Sequence, residues 1–78
     1  SHRLARKLVE LSQTVEAAEG APASYEIFTT QREMAGLIGA TRESVNKELT
    51  VLRRKGLVET FRNRIVIRDL ERLKRRTR

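Results

Sequence analysis

Residues 30–56, TQREMAGLIGATRESVNKELTVLRRKG, decide the fold. Thr30 and Glu33 stand at capping-box spacing, so each can satisfy a backbone N–H that the start of a helix leaves free; Thr29 is the alternative cap. Met34, Leu37 and Ile38 supply an apolar side, and Ala35 permits close approach of a second helix. Gly39 gives the permissive backbone that a tight turn needs. Thr41 caps the second helix, with Glu43 and Ser44 in its first turn. Along that helix Val45, Leu49 and Leu52 recur at i, i+4 and i+7 as a buried stripe. Glu43, Lys47, Thr50 and Arg54 lie opposite, flanked by Arg42 and Asn46. Gly56 closes the helix after Arg53, Arg54 and Lys55, three cations at its negative end. Two helices joined by a short turn containing Gly make a helix–turn–helix, a shape that lays its second helix in the DNA major groove but also serves domains that never meet nucleic acid.

Outward from this pair, Leu4, Leu8, Leu11 and Val15 form one stripe of an earlier helix, expected to pack across the pair. Ala17–Ser24, with the only proline, reads as a loop, and Tyr25–Phe28 as a short strand that needs partners. Leu57–Phe61 and Ile65–Ile67 read as a hairpin around Arg62-Asn63-Arg64, where Asn tolerates a left-handed backbone. Asp69 can cap a last helix with Leu70 and Leu73 inward, ahead of the basic tail Arg72, Lys74, Arg75, Arg76 and Arg78, whose end is expected to fray. Helix, strand, helix–turn–helix and hairpin is the order of a winged helix. The expected class is α+β, mainly helical, with a small antiparallel sheet, as a single domain over residues 1–78.

Charge points to the partner. Residues 1–28 carry three basic and four acidic side chains, net −1, while residues 29–78 carry fourteen and six, net +8. The basicity belongs to the half that holds the helix pair, and implies an anionic partner, nucleic acid before an acidic membrane surface. No apolar run approaches the roughly 18–20 residues of a membrane span, and Leu70–Arg78 is too short and too poor in aromatics for surface attachment. With no cysteine, neither a disulfide framework nor a thiolate metal site is available, which fits a cytoplasmic setting. Catalysis finds no support. The only His, His2, lies in a Ser-His start that a cleaved tag also leaves, the carboxylates are scattered, and no Gly-rich phosphate cradle or metal-ligand cluster occurs. No catalytic, metal or cofactor residue is assigned.

The chemically informative run is Thr41-Arg42-Glu43-Ser44-Val45-Asn46-Lys47. An arginine fork matches guanine O6 and N7, and a carboxylate can accept from cytosine N4, so Arg42 beside Glu43 can read neighbouring base pairs. The carboxylate can also hold the guanidinium in place. The alternative is that Glu43 only complements the helix dipole and Arg42 is a solvated charge. Arg62 and Arg64, near the wing tip, are candidate phosphate contacts.

Residues 30–47, and through Leu49, Leu52, Gly56-Leu57-Val58 and Ile65–Ile67 nearly the whole chain, resemble the DNA-binding domain of the Crp/Fnr transcription regulators. The resemblance rests on an Ala or Gly in the first helix, Gly at the turn, and the Thr-Arg-Glu-Ser-Val run with a basic residue behind it. It implies that Arg42, Glu43 and Lys47 face bases, and that Thr30, Arg32, Thr41 and Ser44 contact phosphates. The departures are Lys47, where many members carry Arg, Glu48, where an apolar residue is usual, and Arg62, where a Gly is common. Members place this domain after an effector domain and a long dimerisation helix. The chain is therefore expected to be the C-terminal piece of a longer regulator that dimerises on an inverted repeat of double-stranded DNA. Alone it is expected to be monomeric or weakly associating, with RNA polymerase a candidate further partner. Cyclic nucleotide, iron–sulfur and haem find no residues here, and the effector stays open. The rival reading is a winged helix that docks its basic face on an acidic protein.

Overall fold

The computed structural model describes residues 3–13 and 24–77. Four helices, α1 (Arg3–Ser12), α2 (Gln31–Ile38), α3 (Arg42–Arg54) and α4 (Leu70–Arg76), surround three strands, β1 (Tyr25–Ile27), β2 (Val58–Phe61) and β3 (Arg64–Ile67). The strands form one antiparallel sheet in the order β1-β3-β2. Glu26 lies opposite Val66, and Thr60 opposite Ile65. The arrangement is the expected winged helix–turn–helix. The readings of Val15 and of the loop before Ser24 fall outside the described residues.

The helix boundaries follow from local chemistry. Thr30 accepts a bond from the Glu33 N–H at 3.1 Å and donates its own N–H to Glu33 Oε1 at 3.1 Å, the full capping box. Gly39, at φ 65°, ends α2, and the Ala35 carbonyl accepts from both Gly39 and Ala40. Thr41 and Asp69 cap α3 and α4 by accepting from the N–H groups of Ser44 and Arg72. At the far end of α3, the Leu57 N–H reaches the Leu52 carbonyl at 3.0 Å and the Gly56 N–H reaches that of Arg53 at 2.9 Å. These are the two bonds of a Schellman motif, and Gly56 supplies its left-handed residue at φ 72°. A methyl group added at Gly56 would meet nothing within 4 Å. Gly56→Ala is therefore expected to cost only backbone strain, about 1–2 kcal/mol, seen as a lower urea midpoint at unchanged m-value.

The core sits between the helices and one face of the sheet. Leu4 and Leu8 of α1, Met34 of α2, Val45 and Leu49 of α3, Ile67 of β3 and Leu73 of α4 are all fully buried. The α3 stripe of Val45, Leu49 and Leu52 and the α4 pair Leu70 and Leu73 are buried as their spacing requires. Leu11 packs at the core's edge.

Five details differ from the sequence expectation. Leu37 is 56% exposed, because α2 buries Met34, Ala35 and Ile38 and that face turns away from position 37. Phe28 lies beyond β1 and is 75% exposed, while Ile27 takes the core position. The hairpin is one residue tighter: Phe61 pairs with Arg64, so only Arg62 and Asn63 form the turn. No described residue other than glycine has positive φ, so Asn63 is not left-handed. Much of the basic tail is helix, since α4 continues through Arg76.

Candidate nucleic-acid interface

Helix α3 sets the geometry. With Val45, Leu49 and Leu52 inward at 3.6 residues per turn, Glu43, Lys47 and Arg54 point away from the core, and all three are exposed. Arg42, Asn46 and Arg53 fall on the flank towards the wing, and Ser44 and Glu48 on the flank towards α1. The caps decide what the hydroxyls offer. Thr41 Oγ1 accepts from the Ser44 N–H at 3.1 Å and donates to Ser44 Oγ at 3.1 Å, which leaves the Ser44 hydroxyl its own proton for an outside acceptor. Thr30, held by its capping box, has the same freedom.

A groove runs between the start of α2, the start of α3 and the wing. Thr30, Gln31 and Arg32 form one wall and Arg42 the floor, with Thr60, Phe61, Arg62 and Asn63 as the other wall. An adjoining depression brings Gln31, Arg42, Glu43 and Asn46 together. Four residues assigned from sequence (Thr30, Arg32, Arg42 and Arg62) thus line one concave surface, and Glu43 stands at its edge. Lys47 and Ser44 do not line this groove. They border a separate hollow on the α1 side with Arg3, Ile38, Ala40 and Glu48.

The side chains of Arg32, Arg42, Glu43, Lys47 and Arg62 make no hydrogen bond or ion pair among the described residues. Glu43 therefore does not hold the Arg42 guanidinium in this state. An unpaired, exposed cation beside an unpaired carboxylate keeps all its donors and acceptors for an outside partner. Arg64 is placed differently. It pairs with Glu26 of β1, and its guanidinium lies 4.3 Å from the centroid of the Phe61 ring. One of its donors is committed to Glu26, and that bond fastens the wing to the sheet. Glu48 is partly buried with Oε1 enclosed and unpartnered, beside the core and not within it, and Leu49 beneath is fully packed.

Sequence reading did not single out Gln31, Thr60, Phe61 or Asn63 as lining the groove. Gln31 had a signal, because it directly follows the cap of α2. The other three are placed by strand pairing, which no local pattern encodes. Among the described residues there is no cluster of metal-ligating side chains and no helix long and apolar enough to cross a membrane.

A helix–turn–helix with a capped, cation-bearing second helix and a hairpin beside it defines a winged-helix domain. The chain belongs to the Crp-like helix-turn-helix domain family, which it matches over residues 2–76. It is 38% identical over 76 residues to a CRP-like cAMP-activated global transcriptional regulator of Mycobacterium tuberculosis, covering 97% of this chain and 34% of that protein. It is 37% identical over 73 residues to the transcriptional regulator LdrP of Thermus thermophilus, covering 94% of this chain and 37% of that protein. A solved CRP/FNR-family transcriptional regulator from Thermus thermophilus superposes with a TM-score of 0.82 at 34% identity, over 95% of this chain and 38% of the other. The chain thus spans about a third of the length of each relative. Family and geometry agree on a DNA-binding domain of the transcription-regulator type.

Proposed function

We propose that this domain reads a specific double-stranded DNA sequence by inserting the first turns of α3 into the major groove. The observation that carries the reading is Arg42 beside Glu43, both exposed and unpartnered at the start of α3, bordering a groove that the wing completes. Arg42 donates its fork to a guanine, Glu43 accepts from a cytosine, and Lys47 contributes a point charge that donates to either a base or a phosphate. Thr30, Arg32, Thr41, Ser44 and Arg62 fix register on the phosphates. Arg64 serves the backbone mainly by holding the wing and contributes a smaller direct share.

Within a longer cytoplasmic regulator, two copies would read an inverted repeat with half-sites about one helical turn, roughly 34 Å, apart. A single copy binds weakly because it lacks the second half-site's contacts.

Gel shifts of the chain against palindromic and scrambled duplexes test the proposal. Sequence-dependent retention is expected. Equal, shallow, salt-sensitive retention of every duplex would favour the protein-docking alternative. Arg62→Ala is expected to weaken binding evenly on all sequences and to reduce the slope of log K against log salt by about 0.9. Titrations across a salt series measure this.

A further inference from the structure

The wing tip has little hold on the core. Phe61 is 46% exposed and Arg62 and Asn63 are exposed, so the hairpin's end is only partly covered. The hairpin is anchored lower down, where Val58, Ile65 and Ile67 are buried and β1 pairs with β3, and its tip projects beyond that packed part. In the order β1-β3-β2 the strand β2 is an edge of the sheet, paired only with β3. On the β3 side, Arg64 fastens the hairpin to Glu26 of β1.

On the β2 side a second arginine does the corresponding work. Arg53 Nη1 donates to Thr60 Oγ1 at 3.0 Å, and Arg53 Nη2 donates to Thr50 Oγ1 at 3.2 Å. Thr50 Oγ1 in turn donates to the Asn46 carbonyl at 2.8 Å, which uses its only proton and leaves its lone pairs directed at Arg53. The planar fork thus bridges the outer flank of α3 to the last residues of β2, one position before Phe61. Resting on the reading of α3 and the wing as the DNA-binding surface, we infer that Arg53 is a positioning residue. It sets the angle of the wing to α3, and so places Arg62 against the backbone while α3 occupies the groove. Arg53 lies eleven positions after Arg42, about 16 Å along the helix axis. Its influence therefore falls on the wing's phosphate contact and not on base choice. Because the bridge is exposed, its worth is in direction more than in stability.

The inference gives four linked expectations. Arg53→Met removes part of the salt slope that Arg62 supplies, weakens binding several-fold on every duplex, and leaves the ratio of preferred to scrambled binding unchanged. In an Arg62→Ala background, Arg53→Met has no further effect on the slope. Thr60→Val reproduces Arg53→Met, while Thr60→Ser, which keeps the hydroxyl, behaves as the parent. Arg53→Lys keeps the charge at the end of α3 but cannot span both hydroxyls in one plane, so it resembles Arg53→Met.

The experiment is a salt titration of these variants against one duplex, each held below its own unfolding transition. Alongside it, NMR order parameters of the Arg62 and Asn63 amides are measured without DNA. Lower order in Arg53→Met and Arg53→Lys, together with a slope change that vanishes without Arg62, supports the inference. A second full drop in slope in the Arg62→Ala background would mean that Arg53 itself touches a phosphate, and overturns it. Unchanged amide order overturns it as well. If the parent chain binds no duplex, the DNA reading fails, and the amide measurement alone decides whether Arg53 positions the wing.

Discussion

Arg42→Ala is expected to weaken binding to the preferred duplex by roughly 1–3 kcal/mol, between about 5-fold and 150-fold in Kd. Its loss should also flatten the preference at one G·C pair. Arg42 opens α3, is exposed, is not held by Glu43, and borders both the groove and the adjoining depression. No internal bond has to be broken for it to reach a base, so the whole of a bidentate contact is forfeited on truncation. Its removal takes no apolar surface from the core, so stability should stay within about 0.5 kcal/mol of the parent. Titrations against single-pair variants of the site measure the effect. Equal loss on every sequence would reassign Arg42 to a phosphate.

Leu49→Ala is expected to act through folding instead. Leu49 is fully buried in the middle of the α3 stripe, between Val45 and Leu52, and its removal leaves a cavity among Leu, Ile and Met side chains. Such truncations cost about 2–5 kcal/mol, against a total that for a domain of this size is about 4–12 kcal/mol. A large drop in melting temperature should follow, with DNA binding lost only in proportion to the unfolded fraction. Leu37→Ala is the matched control. The same chemical change at a 56% exposed position of α2 should move stability by about 0.5 kcal/mol or less. Urea unfolding followed by circular dichroism separates the two, and similar losses at both positions would contradict the packing described.

What the sequence revealed about this fold was what short-range chemistry controls. The capping box at Thr30 and Glu33, the caps at Thr41 and Asp69, and the glycines that close α2 and α3 each act within a few residues of their own position. The Val45, Leu49 and Leu52 stripe was equally legible, because α3 runs for 13 residues and its period is well sampled. Over the 8 residues of α2 the same reasoning put Leu37 inward. Met34 and Ile38 fit a face shared with either Ala35 or Leu37, and α2 buries the Ala35 side.

The candidate site divides in the same way. Arg42, Glu43, Lys47, Thr41 and Ser44 could be placed by counting along one helix. The pairing of β1 with β3 joins residues about forty positions apart, and no local pattern states it. Arg64 therefore read as a free cation at the tip, although the sheet brings it to Glu26. The bridge from Arg53 to Thr60 was hidden for a related reason, since Arg53 had a sufficient local role at the negative end of α3.

The central claim is that α3 chooses a base sequence and does not merely attract a polyanion. Selection of the chain on a pool of duplexes with a randomised core, at fixed salt, tests it most directly. The account predicts an enriched motif that contains a G·C pair whose preference disappears when the selection is repeated with Arg42→Ala. A recovered pool with no enriched motif, bound as tightly by Arg42→Ala as by the parent, would contradict it.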